Sequence, residues 1–260
     1  MSSRGSIPLN AIKPGTTLFV EGTSSDRIRT LSLLLLLAAK RSDVGMLLVA
    51  TDISGDRLAS WCTRARPELN TSNVKIVDCT GEGVDGSDAD SGPDAENLPA
   101  AIEGIDAAAD DFGLGTEHIA GDHVDGSKAD SGVTIERVSS VSDLSSLGIK
   151  FSILHENLSN HGYDPVLTGF ISTSTVLEEV GDVRTVFRFL MLASGRIKSA
   201  DGLGVFPIDA SAHDEVTVRT IREAFDGGIE IREADDGDLE FRTHGLPDQP
   251  EEWTPFAMPK

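Results

Sequence analysis

The stretch from Thr17 to Leu58, TLFVEGTSSDRIRTLSLLLLLAAKRSDVGMLLVATDISGDRL, admits few folds. A short apolar run, Leu18-Phe19-Val20, meets Gly22, and a small-residue loop of Thr23, Ser24 and Ser25 follows. A Leu-rich segment then runs to Ala39, and a second apolar run, Met46 to Ala50, ends at Thr51-Asp52. Strand, short loop, helix, strand is the opening of an α/β domain whose first loop, in nucleotide-binding proteins, wraps a phosphate.

The remainder continues that alternation. Strands are expected at 17–21, 45–51, 74–78, 133–138, 165–172 and 203–209. Helices are expected from Ser25, read as its N-cap, to about Ser42, and from Ser54 or Asp56 to about Arg66, where Pro67 stops it. Further helices are expected over 144–160 behind Ser142-Asp143, over 183–197, and over 215–225, the last closed by Gly227-Gly228. Two last strands, Ile229 to Glu233 and Leu239 to Thr243, flank Asp235-Asp236-Gly237-Asp238 and read as a hairpin. The implied fold class is α/β: a mostly parallel sheet with helices on both faces and a C-terminal antiparallel hairpin. Residues 1–15 read as a lead-in, 16–246 as the domain and 247–260 as a Pro-rich tail carrying Trp253.

Residues 82–132 interrupt the pattern with a Gly-, Asp-, Ser- and Ala-rich insertion. It contains a duplication, VDGSDADSG at Val84 to Gly92 and VDGSKADSG at Val124 to Gly132, identical at eight of nine positions. Asp85, Asp88 and Asp90 offer oxygens, but the spacing does not fit an EF-hand loop and its bidentate Glu is missing. An acidic surface insertion is the simpler reading, with one short helix over 99–112.

Charge excludes several function classes. The 260 residues carry 43 acidic and 22 basic side chains, a net of −21, and only 7 of the bases are Lys. Such a surface argues against nucleic acid as a partner. Excess Asp with scarce Lys resembles proteins of salt-in halophilic archaea, where dense carboxylates stay hydrated and their repulsion is screened. The run from Leu31 to Ala39 is too short for the roughly 20 residues of a membrane span, so a buried helix and a cytoplasmic protein without membrane contact are expected. Cys62 and Cys79 lack CxxC or His company and read as reduced core residues rather than zinc ligands.

The first loop lacks the residues that hold triphosphate. A working loop reads G-x-x-x-x-G-K-[ST], with backbone N–H groups around the phosphates, Lys on the β/γ charge and a hydroxyl on Mg²⁺. Counting from Gly22, Arg27 stands where Gly belongs, Ile28 where Lys belongs and Arg29 where Ser or Thr belongs. Asp26 adds a negative charge at the helix start, opposing a bound phosphate. Arg27, Arg29 or Thr30 could substitute in part; otherwise they face solvent or neighbouring carboxylates.

With its element order, LLVATDISGDRL, and the late run FRFLMLASGRIKSADGLGVFPID followed by FDGGIEIRE, the chain resembles the RecA/KaiC-like ATPase superfamily. More closely, it resembles the divergent KaiC-like proteins of haloarchaea. The resemblance spans about Pro14 to Thr254, apart from the insertion, and implies a RecA-like fold. It also implies an acidic pair after the second strand, which falls here on Asp52 and Ile53, and a Mg²⁺-linked Asp after a later strand, which falls on Ile171-Ser172-Thr173. One acid of three remains, and Asp at Asp52 commonly caps a turn. Phosphoryl transfer depends on positioning and electrostatics, and removing one such contact costs about 10²-fold in rate. The phosphate cradle, the acidic pair and the metal acid fail together, which implies lost hydrolysis. In hexameric relatives, hairpin basic residues reach a neighbour's nucleotide; Arg242 and His244 fall in that region.

The expectation is therefore a non-catalytic KaiC-like regulatory or scaffolding protein, without cofactor, whose partner is a protein or an active paralogue; a homo-oligomer is also admitted. The alternative is a residual binder of ATP and Mg²⁺, with a composite site shared with a paralogue. The candidate vestigial phosphate loop is Gly22, Thr23, Ser24, Ser25, Arg27, Arg29 and Thr30, with Asp52 beside it. No G-x-S-x-G elbow is present, and His155, His161 and His213 stand apart from one another, expected to be satisfied or exposed.

Overall fold

The computed structural model describes residues 12–37, 44–66, 69–81, 132–234, 237–247 and 249–256. The duplicated acidic segment, the helix expected over 99–112, the end of the first helix after Leu37 and the Asp235-Asp236 turn lie outside the described residues.

Nine strands form one sheet in the order β4-β3-β2-β5-β6-β1-β7-β8-β9. They are β1 (Thr16–Gly22), β2 (Gly45–Ala50), β3 (Val74–Asp78), β4 (Thr134–Arg137), β5 (Val166–Phe170), β6 (Leu203–Asp209), β7 (Gly227–Glu233), β8 (Leu239–His244) and β9 (Thr254–Phe256). β1 to β7 pair in parallel, and β8 and β9 add antiparallel edge strands. Six helices connect them among the described residues: α1 (Ser25–Leu37), α2 (Gly55–Ala65), α3 (Leu144–Asn160), α4 (Thr173–Val180), α5 (Val183–Ser199) and α6 (Glu215–Arg222). This is the expected RecA-like α/β architecture, a mostly parallel sheet with a C-terminal hairpin.

The two faces of the sheet carry separate cores. Leu18, Val20, Leu48, Val205 and Ile229 meet α1 and α2 on one side; Phe19, Leu47, Val49, Phe170 and Phe206 meet α3 to α6 on the other. Central strands buried on both faces account for their unbroken apolar runs. α1 is buried all round from Leu31 to Leu37, as a helix without a polar stripe must be. α2 instead buries Leu58, Trp61, Cys62 and Ala65, the stripe of a half-exposed helix.

Four local expectations are corrected. Ser25 is the first helical residue of α1 rather than its cap; the Ser24 carbonyl accepts the Ile28 N–H at 3.0 Å. Gly227 and Gly228 do not close α6 but open β7. A Cβ on Gly228 would stand 2.9 Å from the Phe19 carbonyl oxygen and 2.4 Å from the His244 ring, so close strand and ring contact, not a helix end, demands glycine there. α4 was not anticipated: Ser172 accepts the Thr175 N–H at 3.2 Å and starts a helix where only loop was expected. The short β9 also arises in what read as tail, with Phe256 edge-on to Phe241 at 5.5 Å.

No helix among the described residues is long and apolar enough to cross a membrane.

Candidate functional site

In open α/β sheets, ligands bind beyond the carboxyl ends of the strands. Here those ends bring together Gly22 of β1, Asp52 just after β2, Ser172 after β5 and Asp209 of β6, with the N-terminus of α1 among them. The sequence-nominated loop is therefore where a phosphate loop should be. The side chains of Ser25, Arg27, Arg29 and Thr30 are engaged within the chain.

Gly22 is fixed by packing. A Cβ there would lie 2.8 Å from Ile231 Cγ1, 3.0 Å from the Ile231 carbonyl oxygen and 3.2 Å from Ile28 Cγ1. The close approach that glycine permits is used by β7 and α1. Thr23 is exposed and Ser24 half-buried. The Ser25 hydroxyl donates to Asp209 Oδ2 at 2.5 Å. Arg27 is exposed and ion-pairs with Glu233 at 2.6 Å. The Thr30 hydroxyl donates to the Asp26 carbonyl one turn back at 2.7 Å.

Arg29 is the decisive residue. It is 9% exposed, and its guanidinium donates to the Asp52 carboxylate, with Asp26 Oδ1 a further 3.6 Å contact. Burial raises the Asp52 carboxyl above its ordinary pKa, and Arg29 offsets that only in part. Arg29 Nε and Asp52 Oδ1 are buried without a hydrogen-bond partner. Asp52 does not cap the next helix; Ser54 does, accepting the Arg57 N–H at 3.4 Å. Ile53 beside it is buried.

The neighbouring strand ends are closed as well. Thr51 Oγ1 accepts the Ser172 N–H at 2.9 Å and donates to the Ser172 carbonyl at 3.0 Å, tying β2 to β5. Asp209 was not nominated from sequence, although a strand ending in Asp was visible. Burial acts to raise its carboxyl, but hydrogen bonds from Ser211 and Ser25 outweigh this and hold it below the ordinary value. Between Ser25, Ile28, Arg29, Ile171, Ser172 and Pro207 lies a cleft of about 10 Å³, room for one water at most.

Elsewhere, Glu21 is 2% exposed on β1 and bonded to Arg222 at 2.5 Å; burial raises its carboxyl against that pairing. Arg242 bonds Glu230 at 2.7 Å, and Arg232 and Arg242 both stack on Trp253, at 3.9 and 4.6 Å. The basic residues of the hairpin are thus held within the subunit, and His244 is half-buried beside Gly228. Cys62 and Cys79 are free, buried thiols pushed up to about 12 by burial. No cluster of metal-ligating side chains occurs among the described residues. His161 is exposed, its Nδ1 2.7 Å from the Asn157 carbonyl oxygen. His213 Nε2 is buried without a partner. His155 departs from expectation, being 2% exposed with Nε2 unpartnered; burial first, then Arg196, lower it to about 4.

No curated protein matches the chain. Residues 15–231, from the first strand through the body of the sheet to the last parallel strand, match DUF7504, a family of unknown function, and the chain belongs to that family.

Proposed function

We propose that this chain is a non-catalytic domain of RecA/KaiC-like ancestry that acts through contact with another protein. The observation that carries the reading is the buried Arg29–Asp52 pair. Arg29, a cation of the loop, has its charge balanced by Asp52 beside it, which opposes the recruitment of either charge to phosphate or water. Arg27, Ser25 and Thr30 follow the same rule with Glu233, Asp209 and the Asp26 carbonyl. A triphosphate would have to break these pairs and widen a water-sized cleft, with no lysine or metal acid in return. The partner is a regulatory protein or an active paralogue.

Calorimetric titration of the purified chain with ATP and Mg²⁺ in molar KCl tests this. No saturable heat is expected up to millimolar nucleotide. A dissociation constant below about 1 mM, corresponding to about −4 kcal/mol, would overturn it. The residual-nucleotide reading draws on the unpartnered Arg29 Nε lining the cleft. It requires a thermal shift with ATP and Mg²⁺ that Arg29→Ala abolishes.

A further inference from the structure

α5 departs from the rest of the chain in charge. Its sequence, VRTVFRFLMLASGRIKS, contains Arg184, Arg188, Arg196 and Lys198 and no Asp or Glu. The whole protein has almost two acids for each base. The same region exposes large apolar side chains: Ile149 is 61% and Ile153 60% exposed on α3, and Leu192 76% and Met191 46% on α5.

Ile149, Ile153 and Leu192 lie along one seam, with Met191 on the far side of α5. α3 and α5 lie side by side and run in the same direction. Gly148 meets the Phe189 ring, while the Arg196 guanidinium donates to the Ser152 carbonyl at 3.2 Å and to Glu156 at 3.4 Å. Leu192 therefore sits on α5 between the levels of these two contacts. Ile149 and Ile153 each follow a contact residue of α3 by one position, on its solvent side. Arg184, Arg188 and Leu192 are four residues apart and share one stripe of α5. Scattered apolar side chains on a surface are ordinary, but a contiguous patch is the mark of a binding face.

Neither Arg184 nor Arg188 has a carboxylate within ion-pair reach among the described residues. Arg188 bonds only the Thr185 hydroxyl, at 3.2 Å. Asp182, the cap of α5, accepts the Arg184 N–H at 3.3 Å and the Thr185 hydroxyl at 2.5 Å, and feels the Arg188 charge without an ion-pair contact. Several other surface cations are paired, as in Arg27–Glu233, Arg232–Glu240 and Lys150–Glu136, while Arg64 and Arg219, away from this seam, are exposed without an ion pair among the described residues. An apolar seam with two guanidiniums at one end, neither in an ion pair among the described residues, complements an apolar stripe edged with carboxylates.

We propose that the α3–α5 seam docks an acidic amphipathic helix of a partner protein, its apolar stripe on Ile149, Ile153 and Leu192 and its carboxylates on Arg184 and Arg188. A second copy joined through the same face is the other occupant that the test distinguishes. The assignment rests on the protein-contact reading above and adds the surface and the chemistry of the ligand.

The test uses the full chain and a labelled synthetic helix of about 18 residues, Leu on one stripe with Glu on both flanks, beside a matched helix with Lys on the flanks. Anisotropy is read at about 0.1 M and about 1 M KCl, where the Debye length is about 10 Å and about 3 Å. The Glu helix is expected to bind saturably, about tenfold tighter than the Lys helix at low salt, with the preference shrinking at high salt. Leu192→Asp, or Arg184→Glu with Arg188→Glu, should each weaken it by about tenfold or more. These positions are exposed, and circular dichroism confirms that each variant stays folded. No binding, equal binding of the two helices at low salt, or variants binding like the parent would overturn the proposal. Self-association abolished by Leu192→Asp, with no peptide competition, would overturn it by assigning the face to a second copy. Nucleotide calorimetry is unaffected by any of these results, so failure of the docking face and failure of the non-catalytic reading are told apart.

Discussion

Replacing Arg29 with Met keeps the stem that packs α1 and removes the charge. Asp52, its carboxylate about a quarter exposed, is left without its partner. Removing one member of a fully buried pair costs about 3–5 kcal/mol. Some water still reaches Asp52, so the expected cost is about 2–3 kcal/mol. Asp52→Asn in the same chain removes the stranded charge, and the double variant should recover most of the loss. Their coupling should be about 2 kcal/mol, read by a double-mutant cycle in guanidinium denaturation. A domain of this size shifts its midpoint by about 2–4 °C per kcal/mol, so Arg29→Met should melt about 5–10 °C lower. Acid should narrow the gap. A carboxyl raised above its unfolded value costs stability when ionised, and that cost is relieved as pH falls through its folded pKa. If Arg29→Met were within about 0.5 kcal/mol of the parent and the two substitutions simply added, Arg29 would not be a structural ion-pair residue, and its burial would need a ligand to explain it.

Gly22→Ala should destabilise by about 1–3 kcal/mol, since the new methyl meets the Ile231 backbone, and it should do so without nucleotide present; a neutral result in thermal melts would argue that the glycine serves a ligand instead. Arg27→Ala removes an exposed pair and should cost less than about 1 kcal/mol in the same melts. His155 has a folded pKa of about 4, below the unfolded value, so its contribution is present above the unfolded pKa and lost as pH falls from about 6.5 toward 4. Allowing for solvent screening, that loss is about 2 kcal/mol, and His155→Gln should remove it; parallel pH–stability curves for parent and variant would contradict the assignment.

The parallel core was legible because its signals are strong and local. Met46 to Ala50 and Leu203 to Asp209 are apolar runs bounded by breakers, and Asp143 and Ser54 are effective N-caps. α4 was missed because only Ile171 and Ser172 separate β5 from the helix, and its eight residues bury little beyond Val176 and Leu177. Gly227 and Gly228 were misread because a helix stop and a tightly packed strand both call for glycine; tertiary contact with Phe19 and His244 decides between them. The departure from the phosphate-loop pattern was visible in the chain as Arg27, Ile28 and Arg29. The pairs that engage the loop were not, because Arg29–Asp52, Arg27–Glu233 and Ser25–Asp209 join residues distant in sequence. Asp209 and His155 escaped for the same reason: both are ordinary residues until the fold places a serine beside one and buries the other.

Phosphate release from ATP and Mg²⁺ by the purified chain, in molar KCl and beside Asp52→Asn, tests the proposed non-catalytic reading most directly. Release at the protein-free rate is expected from both proteins. Turnover by the parent that Asp52→Asn abolishes would show that this carboxylate still activates water, and would contradict its assignment as the buried partner of Arg29.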